Sequence, residues 1–194
     1  TPTDDNGPQT HVLPLPVTTS STTENTSNRL VILYGRKNNF DKEVAESLGL
    51  IAKNKYGWNS TTFPCSKYRR TGTPGGFMSE TVVLLIMPIL NDTENNLDDG
   101  CERFLRFINR SSHAPSVLDK MKFAVISIGD DSSSGEDYGI DVDVRLHELG
   151  ASRYATKATM RIVVGNKESK KRWCEDYWSQ FDTGKKNDKE LVID

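Results

Sequence analysis

Three stretches of this chain are apolar without alternation: Leu30-Val31-Ile32-Leu33-Tyr34, Thr81-Val82-Val83-Leu84-Leu85-Ile86-Met87 and Lys122-Phe123-Ala124-Val125-Ile126-Ser127-Ile128. A strand with one wet face alternates polar and apolar residues, whereas a continuous apolar run belongs to a strand covered on both faces. Each run leads into a segment of helical period. Val44, Ala45, Leu48, Ile51 and Ala52 share one face of a helix over 42–55. Leu97, Cys101, Phe104, Leu105 and Ile108 share a face after the second run, and a helix over 140–149 stops at Gly150, a residue suited to a helix C-terminus. Weaker strands at 59–63 and 159–164 and a last helix at 168–181 complete the alternation. The pattern predicts an α/β domain, doubly wound, with a five-stranded parallel sheet between two helical layers. Ligands of such folds sit at the C-terminal ends of the strands.

Composition sets the limits of that domain. Residues 1–28 are mostly Thr, Ser, Pro and Asn and read as a tail or arm; residues 29–182 hold the periodic segments; residues 183–194 form a charged tail. A hydrophobic content of 35% fits a folded unit carrying such tails. With 25 basic and 27 acidic residues, the net charge of −2 argues against bulk nucleic-acid binding. No apolar run reaches membrane-spanning length. Cys65, Cys101 and Cys174 are widely spaced, which predicts buried thiols in a reducing compartment rather than a disulfide framework. That usage points to an intracellular protein, cytosolic or mitochondrial. The chain opens on Thr1 rather than methionine, which predicts a processed start or a piece of a longer protein.

The loop after the first strand raises the functional question. Strand, tight turn and helix N-terminus form a frame that holds phosphate through backbone N–H groups. Here the turn reads Gly35-Arg36-Lys37-Asn38-Asn39-Phe40-Asp41, with few small residues and no hydroxyls. The loops after Met87 and Ile128 reach the same sheet edge. Their order and flanks carry a resemblance. The residues are Leu33-Tyr34-Gly35 with Glu43-Val44-Ala45-Glu46-Ser47-Leu48, and Ile128-Gly129-Asp130-Asp131-Ser132-Ser133. Arg145-Leu146-His147-Glu148-Leu149-Gly150-Ala151-Ser152 and Trp173-Cys174-Glu175-Asp176-Tyr177-Trp178 follow. Together they resemble the flavodoxin-like FMN domain of the diflavin reductase family. The resemblance spans residues 29–181 and implies a flavodoxin-like three-layer sandwich, an FMN site and an electron-transfer role.

The family's flavin-binding features transfer poorly. The resemblance would place FMN contacts at Arg36, Lys37, Asn38 and Asn39, at Asn91, at Gly129, Asp130, Ser132 and Ser133, and at Tyr138. The usual Ser/Thr-x-Thr-Gly phosphate loop is Arg36-Lys37-Asn38-Asn39 here. Glycine lets backbone amides close on a phosphate, and hydroxyls add donors. The glycine-rich second loop is replaced by Met87-Pro88-Ile89-Leu90-Asn91-Asp92-Thr93. Where an aromatic residue would stack on the flavin ring, the chain has Ser134-Gly135, with Tyr138 as the nearest substitute. All three loops depart together, which predicts a domain that gave up its flavin and serves as a structural or protein-interaction module. It would be held in a larger assembly through the N-terminal arm. The alternative is an electron-transfer domain that keeps FMN. This stretch holds no NAD(P)H-binding half, so it would not act as a self-sufficient reductase.

Other motifs point elsewhere only weakly. Asp130, Asp131, Glu136, Asp137, Asp141 and Asp143 read as a solvated acidic rim near a helix N-terminus rather than a metal site. His11, His113 and His147 lack a second ligand at metal spacing, and His147 is expected at the surface. Lys67-Tyr68-Arg69-Arg70 and residues 167–172 are basic stretches that would touch RNA only inside an assembly, with Tyr68 as a stacking residue. Trp173, Tyr177 and Trp178 read as core residues plus one exposed anchor.

Overall fold

The computed structural model describes residues 29–35, 39–69, 76–90, 97, 99–130, 135–154, 158–162 and 167–182. The tails at 1–28 and 183–194 lie outside them. The strands are β1 (Arg29–Tyr34), β2 (Asn59–Pro64), β3 (Val82–Pro88), β4 (Lys122–Asp130), β5 (Ser152–Arg153) and β6 (Ala158–Ile162). The helices are α1 (Asn39–Tyr56), α2 (Asp99–Ile108), α3 (Tyr138–Glu148) and α4 (Lys167–Asp182). The pairings between these strands are all parallel, in the order β2-β1-β3-β4, with both β5 and β6 on the far side of β4. The fifth strand position is therefore filled twice. Ser152 and Arg153 pair the start of β4, and Ala158–Ile162 pairs its end. The expected strand at 159–164 corresponds to β6; the two-residue β5 is too short to leave a pattern in the sequence.

The period of two within each strand sorts the core into two halves. Val31, Leu33, Val83, Leu85, Met87, Phe123 and Val125 face α2 and α3, packing with Cys101, Phe104, Ile108, Val142 and Leu146. Leu30, Ile32, Leu84, Ile86, Ala124, Ile126 and Ile128 face the other way onto Val44, Ala45, Leu48 and Ala52 of α1 and Trp173, Cys174, Tyr177 and Trp178 of α4. This is the three-layer arrangement that the unalternated strands predict. β2, with its Asn-Ser-Thr-Thr start, is the partly exposed edge, and Ser60 Oγ donates to Gly49 O at 2.7 Å.

Helix ends are secured locally. Asp137 Oδ1 caps α3 by accepting from Gly139 N at 2.9 Å. At its other end Gly150 takes φ +94°, and Ala151 N donates to Leu146 O, closing the turn as the glycine predicts. The last carbonyls of α2 are met by Arg145, whose Nε donates to Ile108 O at 3.0 Å. His147 is exposed, as expected. All three cysteines are buried free thiols, and burial pushes the Cys174 thiol up to about 12.

One expectation needs correction. Trp173, Tyr177 and Trp178 are all buried, none of them an exposed anchor. α4 lies against α1, so a wider face is covered than a lone helix wheel suggests. The Trp173 and Tyr177 rings stack at 5.3 Å, and Trp178 Nε1 donates to Leu48 O of α1 at 2.9 Å. Replacing Trp178→Phe removes that bond and leaves a void, so it is expected to lower unfolding free energy by about 2 kcal/mol in a urea titration. An unchanged midpoint would show that the α1–α4 seam does not depend on it.

Candidate functional site

In the order β2-β1-β3-β4, the chain reverses direction of winding between β1 and β3. That switch point opens a crevice at the strands' C-terminal ends. β1 ends at Tyr34 and Gly35, β3 at Pro88, and β4 at Gly129 and Asp130. Register places Tyr34 beside Ile86 and Pro88 beside Ile128. The three loop shoulders named by the sequence are therefore neighbours.

They are also tightly packed. Gly35 N donates to Ile86 O at 2.8 Å. A Cβ on Gly35 would lie 2.8 Å from Pro88 Cδ and 3.3 Å from Cys101 Sγ, so no larger residue fits there without movement. Pro88, Ile89 and Leu90 are buried, at 5% exposure for Ile89 and 7% for Leu90. Their backbone is committed. Proline has no N–H, Ile89 N donates to Ile128 O at 2.7 Å, and Leu90 N donates to Glu136 O at 3.1 Å. Gly135 N returns a bond to Leu90 O at 3.0 Å, and Ile89 bridges Asp137 in antiparallel fashion. Residues 88–90, the shoulder of the second loop, are thus latched onto Gly135–Asp137.

The latch is anchored below by a polar pair. Buried Ser127 Oγ donates to Asp137 Oδ1 at 2.6 Å, and the same oxygen caps α3. Tyr138, the first residue of α3, is half-buried and packs against the core on the α2–α3 side. Burial, followed by a hydrogen bond with Glu136, pushes its phenol up to about 12. Burial likewise raises the Tyr34 phenol at the end of β1, offset in part by Lys42. Asp41 is fully buried in the first turn of α1, where a carboxylate favours the helix dipole.

The expected ligand residues fall into three groups. Gly129 is buried within β4, and Tyr138 stands on α3. Asn39 opens α1 and Asp130 ends β4, both placed by backbone only. Arg36, Lys37, Asn38, Asn91, Ser132 and Ser133 lie outside the described residues. The structure brings together the shoulders from which these loops spring. The acidic rim has structural duties: Asp137 caps, Glu136 bonds Tyr138, and Asp143 pairs with Arg153 at 2.7 Å. Among the described residues, no cluster of three or more His, Cys, Asp or Glu has metal-binding geometry. Sequence reading missed the latch and the Ser127–Asp137 pair. The only sequence signal for the pair is a lone serine in an apolar strand.

Strand order and layering make this a flavodoxin-like α/β domain. A cysteine-to-alanine mutant of flavodoxin from Pseudomonas aeruginosa superposes with TM-score 0.60 at 16% identity, covering 80% of this chain and 97% of that one. Oxidised flavodoxin 1 from Bacillus cereus gives TM-score 0.57 at 16% identity, with 80% and 97% covered. In sequence, the chain is 30% identical over 94 residues to methionine synthase reductase of Caenorhabditis elegans. That match takes in 46% of this chain and 14% of the length of the relative. No family model matches. No helix among the described residues is long and apolar enough to cross a membrane.

The contact between Gly35 and Pro88 is testable as a pair. Gly35→Ala is expected to cost about 1–3 kcal/mol through overpacking. The double variant with Pro88→Ala is expected to recover at least about 0.5 kcal/mol relative to additivity. Strict additivity in thermal or urea unfolding would mean that Gly35 and Pro88 do not constrain each other.

Proposed function

We propose that this domain is a flavodoxin-like module that works without flavin, as a structural or protein-interaction unit of a larger assembly. One observation carries the reading. The described shoulder of the second loop, Pro88, Ile89 and Leu90, is bulky and buried, and its N–H groups are already spent on Ile128 and Glu136. An isoalloxazine ring needs small residues and spare backbone donors at that edge; this shoulder offers neither. The one aromatic candidate, Tyr138, is half-buried against the core with its phenol bonded to Glu136. The described residues therefore fit FMN poorly. The first-loop residues Arg36, Lys37 and Asn38 add charge, which suits an anion, but lack the glycine and hydroxyls of a phosphate cradle.

In this reading the partners are proteins. The arm at 1–28 and the charged tail at 183–194 supply the attachments, an assignment that rests on their composition. The similarity to methionine synthase reductase favours a second reading, an FMN-binding electron-transfer domain. Chemistry would then belong to the flavin, which carries single electrons, with Arg36, Lys37, Asn38, Asn39 and the 129–133 loop holding it.

Saturating the purified protein with FMN and passing it through gel filtration separates the two. The expected result is no retained flavin absorbance. Near-stoichiometric flavin would overturn the flavin-free reading. The Asn38→Thr, Asn39→Gly variant is expected to stay colourless as well, because the second loop remains closed. Flavin binding by that variant would move the obstacle to the first loop and contradict the argument from residues 88–90.

A further inference from the structure

A groove of about 560 Å³ runs between the turn after β2 and the outer side of α2. Lys67 and Arg69 line it from the turn, Arg103 and Arg106 from the helix, and Arg110 from just past the helix end. Arg103 and Arg106 stand at i and i+3 on one face of α2, and Arg110 follows two residues past its end. Among the described residues that line the groove, none is acidic. Among the described residues, Arg29, Lys42, Arg145, Arg153 and Lys170 each have a carboxylate partner, whereas none of the five groove cations does. In a chain of net charge −2, five cations lining one groove are a local concentration of positive charge.

The guanidinium groups are oriented. Arg69 lies 5.6 Å over the Tyr68 ring and donates Nε to the Tyr68 hydroxyl at 3.0 Å. Arg110 lies 5.5 Å over the Phe107 ring. Arg103 donates Nε to Asp99 O at 3.0 Å. Where Nε is used internally, the terminal nitrogens remain as paired donors, the fork that matches phosphate oxygens.

The shape of the groove selects the kind of anion. Tyr68 is only 4% exposed and is held by Phe104 and Phe107, so it gives no platform for stacking a nucleobase. This corrects the expectation that Tyr68 stacks on RNA. The exposed large apolar residues among the described ones, Leu50, Val117, Ile140 and Val144, all lie elsewhere, and Phe107, the half-buried aromatic in the lining, is covered by Arg110, so the groove offers little apolar anchorage for a protein. Its size suits a small ligand. We propose that this groove binds a compact polyphosphate, the chemistry shared by inorganic triphosphate and a nucleoside triphosphate. Among the described residues, none of the loop shoulders Gly35, Pro88, Ile89, Leu90 or Gly135 lines it.

Calorimetric titration at low salt tests this with inorganic triphosphate, ATP, an oligouridine and polyglutamate as probes. Both triphosphates are expected to bind. Equal affinity means the phosphates alone are read, and tighter ATP means the nucleoside adds contacts. Arg106 and Arg110 are exposed, so Arg106→Gln with Arg110→Gln keeps the fold and is expected to weaken binding about tenfold or more. Lys53→Gln with Lys55→Gln, exposed in the last turn of α1, is expected to change it less than about twofold. Three results would overturn the proposal: no binding of either triphosphate, equal loss in the two double variants, or tighter binding of oligouridine or polyglutamate than of triphosphate.

Discussion

The structure depends on burying both faces of β3 and β4. Val83, Leu85, Phe123 and Val125 point to one helical layer, and Leu84, Ile86, Ala124 and Ile126 to the other; all are fully buried. Neither layer can be removed without exposing a strand that has no polar side. This demand forces parallel pairing, crossover helices on both faces and a switch point between β1 and β3. The crevice at the strand ends follows from topology, before any residue commits it to a ligand.

What fills that crevice is a matter of loop chemistry. Gly35 survives because Pro88 and Cys101 leave no room for a Cβ. The same crowding presses the second loop into the protein, where Ile89 and Leu90 spend their amides on Ile128 and Glu136. Ser127 and Asp137 fix the other side of the latch and the start of α3 together. A frame able to hold a cofactor is thereby stiffened by internal bonds, consistent with folds hosting unrelated functions.

Much of this was legible in the residues. The unalternated runs and the helical periods after them gave strand order class, layering and nearly every element, because burial on two faces leaves a plain mark. β5 was not legible: two residues with exposed side chains carry no period. The full burial of Trp173, Tyr177 and Trp178 needed knowledge of which helix α4 meets. At the site, the loss of glycine and hydroxyls could be read directly. The latch could not, since its partners, Leu90 and Gly135, meet only after β4 lies between them in the chain and beside them in space. The i, i+3 pair Arg103 and Arg106 is visible in the spacing, but the lack of a carboxylate partner for them among the described residues is not.

The central claim is that residues 88–90 are tied to β4 and to residues 135–137 by their own hydrogen bonds. Native-state amide hydrogen exchange of Ile89, Leu90 and Gly135, with and without excess FMN, tests it most directly. The account predicts slow exchange at all three amides and no change on adding FMN. Fast exchange in the free protein, or protection that appears only with FMN, would show these donors to be available to a flavin and would contradict it.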